Sequence, residues 1–476
     1  VTRGTDPRDS VALQEIASRF QAGDMNGADA LAAQLIRAHR DPDRQLPAIL
    51  WQGFIAQQRG DARGARDRFV EARKIDRRNP NLLVQLGALH DRLGERAEAE
   101  HCYREAIRLE PRLAIAHYNL GVSLGAKGDM PGARRAYEAA IVHQPRFPQA
   151  FLNLGNVFLH LNEPASAKEC YRRAIEIDGR FAAAHRALGL LAVRHHQNDP
   201  ALTCFRAAVE CDPNLIEAWV DLSDALQRAG RHSEALAAID EALSRAPQNE
   251  TAQFKRSLLT GAQPIAMPDV VVAQLFDGMA ASFDEHLVGR LGYDIPTRLA
   301  SMLGAWVSSK RVSQGRGVSV LDLGCGTGLF GVAMHADASR IVGVDLSAAM
   351  IDLARQRGCY AELHVAPMLD FLDRTGESFD LVAATDVLVY AGALERLFTL
   401  ARSRLAPGGR FAFSVETPTD LTDGFRLLAA GRYAHSAAYV EATAAANGFR
   451  VEKRVAATIR TEAGVPQVGF VYVLAA

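Results

Sequence analysis

The stretch VLDLGCGTGLFG, residues 320–331, decides how the second half of the chain folds. Its opening residues are those of a buried strand, three glycines follow at alternate positions (Gly324, Gly326 and Gly328), and an apolar, helix-like segment takes over. Glycines at the end of a strand leave bare backbone that a ligand can approach closely. Asp322 precedes the first glycine by two residues and is still on the strand; Asp345 ends the next predicted strand, RIVGVD (340–345). A carboxylate at the first place can hold the ammonium of an amino acid, and one at the second can accept from both hydroxyls of a ribose. Together they ask for a ligand with an amino-acid end, a ribose and no pyrophosphate. The dinucleotide-binding pattern GxGxxG would need a glycine at 329, where this chain has Leu329.

Further strands are predicted at VSVLDL (318–323), AELHVA (361–366), FDLVAAT (379–385) and GRFAFSV (409–415), with two β-rich stretches near 449–460 and 467–474. Strands alternating with helices imply a parallel sheet with its ligand at the carboxyl ends of the strands. VLDLGCGTG followed by VGVDLS resembles motif I and its sequel in class I methyltransferases. The resemblance implies an α/β Rossmann-like domain that binds S-adenosylmethionine through Asp322, Gly324, Cys325, Gly326, Gly328, Asp345, Leu346, Met368 and Phe283. One departure stands out: the acidic residue that the family usually places after the third strand, facing adenine, is here Pro367, leaving the Met368 backbone or Asp370 for that contact. FDGMAASFDEHLVGRLGYDIP (276–296), DVLVYAGAL (386–394), FSVE (413–416) and GRYAHSAAYV (431–440) resemble methyltransferases that carry tetratricopeptide repeats before the catalytic domain. By that analogy a helix over 276–294 lies across the cofactor, with Phe283 and Tyr293 near it.

Methyl transfer is an in-line displacement, so the main task of the protein is alignment, and a base is needed only if the acceptor must lose a proton. Asp386 and Tyr390, just past the fourth strand, occupy the place where this fold lines its acceptor pocket. Glu416 ends the fifth strand, and GRYAH brings Arg432, Tyr433 and His435 after it. The expected catalytic set is therefore Glu416, His435, Asp386 and Tyr390, with His435 as a general base; Arg432 and Tyr433 are expected to contact substrate, and His286 and Arg460 are lesser candidates. The Asn/Asp-Pro-Pro-Tyr motif of amide and exocyclic-amine methyltransferases is absent, since the chain reads DVLVY, and so is the paired-glutamate loop of arginine methyltransferases.

Upstream, a different regularity rules. Gly87, Gly121, Gly155 and Gly189 recur every 34 residues, with Ser223 in the next slot. The same step links Ala99, Ala133, Ala167, Ala201 and Ala235, and also Tyr103, Tyr137, Tyr171 and Phe205. Such a period means stacked helix pairs, and this pattern resembles the tetratricopeptide repeat. Clear units start at about 80, 114, 148, 182 and 216. One unit with Gly53 and Phe69 precedes them, and a degenerate one at about 9–43 suits a solenoid cap. The expected organisation is an all-α tetratricopeptide solenoid over 1–259 (about seven helix pairs), a linker at 260–269, and an α/β methyltransferase domain over 270–476 with a helical lid at 270–305. In repeats of this family the sixth residue faces the concave groove; here these are Gln85, Asn119, Asn153, Ala187 and Asp221, with Arg92, His160, Arg194 and Arg228 at a second groove slot. Side-chain amides in a row suit an extended peptide or protein ligand, and the basic slot an acidic one.

Composition narrows the classes. Of 476 residues 48% are hydrophobic and 23% charged, the balance of a folded soluble chain. The formal net charge of −1 gives no basic domain that would argue for nucleic acid. The six cysteines have neither disulfide nor metal spacing and read as buried thiols. No membrane span or secretory signal is visible, so a cytoplasmic protein is expected. The leading expectation is an S-adenosylmethionine-dependent methyltransferase whose repeats bind a peptide or protein acceptor. The alternatives are a small-molecule methyltransferase whose repeats serve docking or homodimer formation, and an inactive interaction scaffold.

Overall fold

A computed structural model describes residues 7–280, 283–290, 292–428, 430–462 and 464–476. The chain divides into two compact units, residues 1–229 and 230–476.

In the first unit, antiparallel helix pairs follow the 34-residue period: Pro80–Arg92 with Arg96–Leu109, Ala114–Ala126 with Met130–His143, Pro148–His160 with Pro164–Ile177, and Ala182–Arg194 with Asn198–Cys211. The recurring glycine has one steric cause. A Cβ built on Gly87, Gly121, Gly155 or Gly189 would lie 2.4–2.7 Å from the ring of Tyr103, Tyr137, Tyr171 or Phe205. The helices can therefore close on a buried aromatic only where the side chain is a hydrogen. Ala99, Ala133, Ala167 and Ala201 are fully buried in the same seams. A third device ties three of the turns. His117 Nε2 donates to the Pro111 carbonyl (2.9 Å), His185 Nε2 to Gly179 (3.0 Å) and Trp219 Nε1 to Pro213 (2.9 Å).

The second unit begins with helices His232–Arg245 and Glu250–Thr260. Its sheet uses β1 (Val318–Leu323), β2 (Ala338–Asp345), β3 (Glu362–Val365), β4 (Phe379–Ala384), β5 (Leu405–Glu416), β8 (Arg450–Glu462) and β9 (Val465–Ala475). The order is β3-β2-β1-β4-β5-β9-β8, parallel through β5 and antiparallel for β9 and β8. A separate hairpin pairs β6 (Phe425–Leu427) with β7 (Tyr433–His435). The central strands are apolar on both faces because helices cover both; Leu321, Leu323, Val344, Val382 and Phe413 are buried against one layer, and Val320, Leu381, Ala412 and Val473 against the other.

Two boundaries differ from expectation. The segment 260–269 is bonded along its length. Met267 N donates to the Tyr390 carbonyl (3.0 Å), and Gly392 N and Ala393 N donate to that of Ile265 (2.8 Å each). Tyr433 Oη donates to the Pro264 carbonyl (2.8 Å), and Leu427 N donates to Gln263 Oε1. Phe254, Met267, Val272, Leu427 and Tyr433 share one apolar cluster, so the segment expected as a linker is packed against its neighbours. Over 276–294 the described residues include the end of a helix Asp269–Met279 and a π-helical turn Glu285–Arg290, and residues 292–294, expected as part of the helix, are not helical.

Candidate active site

A cavity of about 770 Å³ opens at the carboxyl ends of the parallel strands, walled by the loops after β1, β2, β3 and β4 and by the helix Asp269–Met279. Gly324 to Thr327, Asp345, Leu346, Pro367, Met368, Asp370, Phe283, Asp386, Tyr390, Arg432 and Arg460 all line it. Residues from the first part of the expected site are thus brought together.

The loop after β1 turns back on itself: Cys325 N donates to the Val344 carbonyl (3.0 Å) and Gly328 N to that of Cys325 (2.9 Å). Gly326 has φ +52°, and a Cβ added there would meet only Phe283, at 3.9 Å. The loop leaves an open cradle at the position where a ligand needs backbone contact. Asp345 Oδ2 accepts from Gly326 N (2.8 Å) and Oδ1 from Ser347 N (2.9 Å), which fixes the carboxylate at the cavity wall with a lone pair left on each oxygen. Burial outweighs these bonds and holds the Asp345 pKa above the ordinary carboxylate value.

Asp322 is fully buried and does not itself line the wall. It lies in register between Gly343 of β2 and Ala383 of β4. Its Oδ2 accepts from Tyr360 Oη (2.7 Å), whereas Oδ1 has no partner among the described residues. Burial raises its pKa to about 7, against the pull of the Tyr360 hydroxyl. A buried carboxylate with one unsatisfied oxygen under a glycine cradle is the chemistry that an ammonium-bearing ligand completes. S-adenosylmethionine fits these residues.

Two acidic side chains tie the helical segment 269–290 to the ligand loops. Ser347 Oγ donates to Asp277, and Thr327 Oγ1 donates to Asp284, which also pairs with Arg357. Phe276 and Phe283, seven residues apart, meet edge to face at 5.8 Å, and Phe276 meets Tyr390 at 5.4 Å. An aromatic wall results beside the acceptor end, where burial raises the pKa of both Tyr293 and Tyr390, keeping the phenols protonated.

At that end Arg460 bridges Asp386 Oδ2 and Glu416 Oε1, and Arg432 Nε donates to the same Glu416 oxygen at 3.2 Å. Glu416 and Arg460 are buried; Glu416 stands behind the wall that Asp386, Arg432 and Arg460 form. Asp386 sits at φ +58°, an uncommon conformation for a non-glycine residue, with its amide donating to Ser414 Oγ (2.9 Å).

Five expected residues do not line the cavity: Asp322, Gly328 and Glu416 lie behind its wall, and His435 and Tyr433 are turned to structural roles. His435 is fully buried, its Nε2 facing the carbonyls of Ala391 (2.8 Å) and Gly392 (3.1 Å), so it must donate there. Burial lowers its pKa to about 4, leaving a neutral imidazole that fastens the 390–393 segment rather than a base facing a substrate. Tyr433 is likewise buried, its hydroxyl spent on Pro264. Ser436 caps the helix Ala437–Ala446. The side chain of His286 lies outside the described residues. In the repeats, Asp221 accepts from Arg186 Nε and Asn153 Nδ2 donates to Tyr118 Oη (3.2 Å), so two of the groove slots have internal partners. Gln85, Asn119 and Ala187 are half-buried, while Arg92, His160, Arg194 and Arg228 are exposed.

The sequence reading missed Tyr360, Asp277, Asp284 and the strap 263–267. Asp277 and Asp284 left an indirect signal, a pair of acids seven residues apart, and Tyr360 and the strap left none.

Glycine loop, acid-ended second strand and antiparallel final strand together define a class I methyltransferase domain, here preceded by tetratricopeptide repeats. Comparison with known families agrees: residues 320–409 match a methyltransferase domain, and residues 84–150, 148–181 and 186–250 match tetratricopeptide repeats. The chain is 35% identical over 155 residues to the cypemycin N-terminal methyltransferase of a Streptomyces species, covering 31% of this chain and 60% of that one. It is 28% identical over 102 residues to the ubiquinone biosynthesis O-methyltransferase of Coxiella burnetii, covering 21% of this chain and 44% of the relative, less than half its length. The solved repeat protein YrrB is 23% identical, covering 39% of this chain and 95% of its own, at a TM-score of 0.32. Among the described residues no helix is long and apolar enough to cross a membrane.

Proposed function

We propose that this chain is an S-adenosylmethionine-dependent methyltransferase whose repeats bind a peptide or protein acceptor. The observation that carries the reading is the open cradle at Gly326 beside Asp345 and above the unsatisfied oxygen of Asp322. S-adenosylmethionine supplies an electrophilic methyl group on a sulfonium. Asp345 would take the ribose hydroxyls, Asp322 would balance the ammonium, and the Leu346 and Met368 side chains would pack on the adenine, with Asp370 at the rim of the same wall.

At the acceptor end Asp386 is the carboxylate best placed to take a proton, because it faces the cavity and Glu416 does not. Arg460 holds it in place, and the aromatic wall of Phe276 and Tyr390 excludes water and limits the ways an acceptor can lie. A peptide amine matches a carboxylate base, and the relative named for N-terminal methylation of cypemycin supports that acceptor class. Repeat binding would raise the local concentration of the acceptor at the cavity.

The test is to incubate the full chain and methyl-labelled S-adenosylmethionine with a size-fractionated extract of its host lacking the gene. Label in the macromolecular fraction is expected. Label confined to small molecules would move the repeats to a docking role, and no label in either fraction would overturn the assignment as an enzyme.

A further inference from the structure

Resting on the donor-site reading above, we infer that Tyr360 is a positioning residue for that site: half-buried, with its ring packed beneath the glycine loop, it claims one oxygen of Asp322 and leaves the other for a cationic ligand. The Tyr360 hydroxyl is already committed to Asp322 and to Gly331 N, so it acts through the carboxylate rather than as a ligand contact of its own. Its ring instead fills the space under three glycines. A Cβ on Gly343 of β2 would lie 2.8 Å from the ring, one on Gly331 2.4 Å, and one on Gly328 3.0 Å. Gly328, expected from the sequence to face the ligand, is therefore small at least in part to admit this ring, as are Gly331 and Gly343. The hydroxyl then makes two bonds of opposite sense. It donates to Asp322 Oδ2 (2.7 Å) and accepts from Gly331 N at 3.2 Å. One side chain thereby joins the strand carboxylate to the first turn of the helix Leu329–Met334 that closes the loop.

The consequence is directional. With Oδ2 occupied and Oδ1 unsatisfied, Asp322 has one orientation in which a positive group completes its shell. The hydroxyl also favours the ionised carboxylate, opposing the burial that raises its pKa to about 7. The titratable groups around it are Asp345 at the end of β2, Cys325 in the loop, Cys359 and Tyr360 before β3, and Tyr293 ahead of the helix Ile295–Gln314. Each of these except Asp345 stays uncharged near neutrality, and Asp345 is itself tied to two amides. A cationic ligand must therefore meet Asp322 ionised, and binding near pH 7 should release a proton.

The test uses the full chain and S-adenosylhomocysteine, followed by calorimetry from pH 6 to 8.5. Tyr360→Phe keeps the ring and removes the hydroxyl. It is expected to weaken binding by about tenfold at pH 7, the scale of one hydrogen bond to a charged group, and to move the pH of half-maximal affinity upward. Asp322→Asn should flatten the pH dependence, and adding Tyr360→Phe to it should produce little further loss, because the tyrosine acts through the aspartate. Additive losses, or a Tyr360→Phe protein that binds as wild type across the range, would overturn the inference. Failure of the wild-type chain to bind at all would instead overturn the donor-site reading on which it rests. Should Tyr360→Phe not fold, replacing Tyr360 by a ring-fluorinated tyrosine keeps the ring and strengthens the hydroxyl as a donor; the pH of half-maximal affinity is expected to move downward, and an unmoved profile counts against the proposal.

Discussion

Glycine recurs in both halves of this protein for opposite reasons. In the repeats, Gly87, Gly121, Gly155 and Gly189 have ordinary helical backbone and are small because an aromatic ring lies against each. In the catalytic unit, Gly326 takes a left-handed φ and faces open space with a single distant neighbour. The first kind is filled from within and serves stability; the second faces the cavity, where the proposed methyl donor would need close approach to the backbone. Gly328 and Gly331 belong to the catalytic loop by sequence but to the packed kind by contact, since Tyr360 occupies the space beside them.

The sharpest way to break this contrast is to attack the empty side. Asp345→Ala removes the acceptor for Gly326 N and the candidate ribose contact together, and should weaken S-adenosylhomocysteine binding by about a hundredfold or more. Calorimetry checks it, and the thermal midpoint should move little in comparison. On the filled side, Gly155→Ala drives a methyl into the Tyr171 ring and should cost about 1–3 kcal/mol of stability in the repeats, measured by urea unfolding followed by circular dichroism.

The strap offers a middle case. Gln263→Leu removes the acceptor for Leu427 N beside the cavity wall, and should cost roughly 1 kcal/mol of stability. Hydrogen exchange at 390–393 should rise with it, whereas Gln263→Glu, which keeps an acceptor oxygen, should restore protection. Unchanged exchange in the leucine variant would return 260–269 to the status of a plain linker.

The effect whose pH dependence vanishes at neutral pH concerns His435. Its folded pKa of about 4 lies below the ordinary value of 6.5, so the unfolded chain binds the extra proton between these values. The stability it contributes is complete above about pH 6.5 and is lost as pH falls toward 4. Stability measured across that window should slope more steeply in the wild type than in His435→Gln, and activity near neutrality should show no titration from this residue.

Much of this architecture was legible because it repeats or because it is local. A 34-residue period with glycine, alanine and aromatic slots leaves little freedom, and motif I places its acids and glycines within one strand, one loop and the end of the next. The illegible parts share a physical cause: they depend on contacts between distant residues or on chemistry that several residue types supply. Tyr360 reaches Asp322 across 38 positions and leaves no local pattern. The N–H donors that tie the repeat turns are His117, His185 and Trp219, alike in function and unlike in name. Prolines at 264 and 268 read as a linker, yet proline loses only its N–H, and the Pro264 carbonyl still receives the Tyr433 hydroxyl. His435 looked available for catalysis because nothing local in GRYAH shows that the hairpin strand Tyr433–His435 is buried on both faces.

The most direct test of the contrast is a side-by-side titration of S-adenosylhomocysteine into full-length Gly326→Ala and Gly155→Ala under conditions where both are folded. The account predicts that Gly326→Ala loses affinity by at least about tenfold while Gly155→Ala binds as the wild type does. Equal affinity in the two variants, or a loss confined to Gly155→Ala, would contradict it.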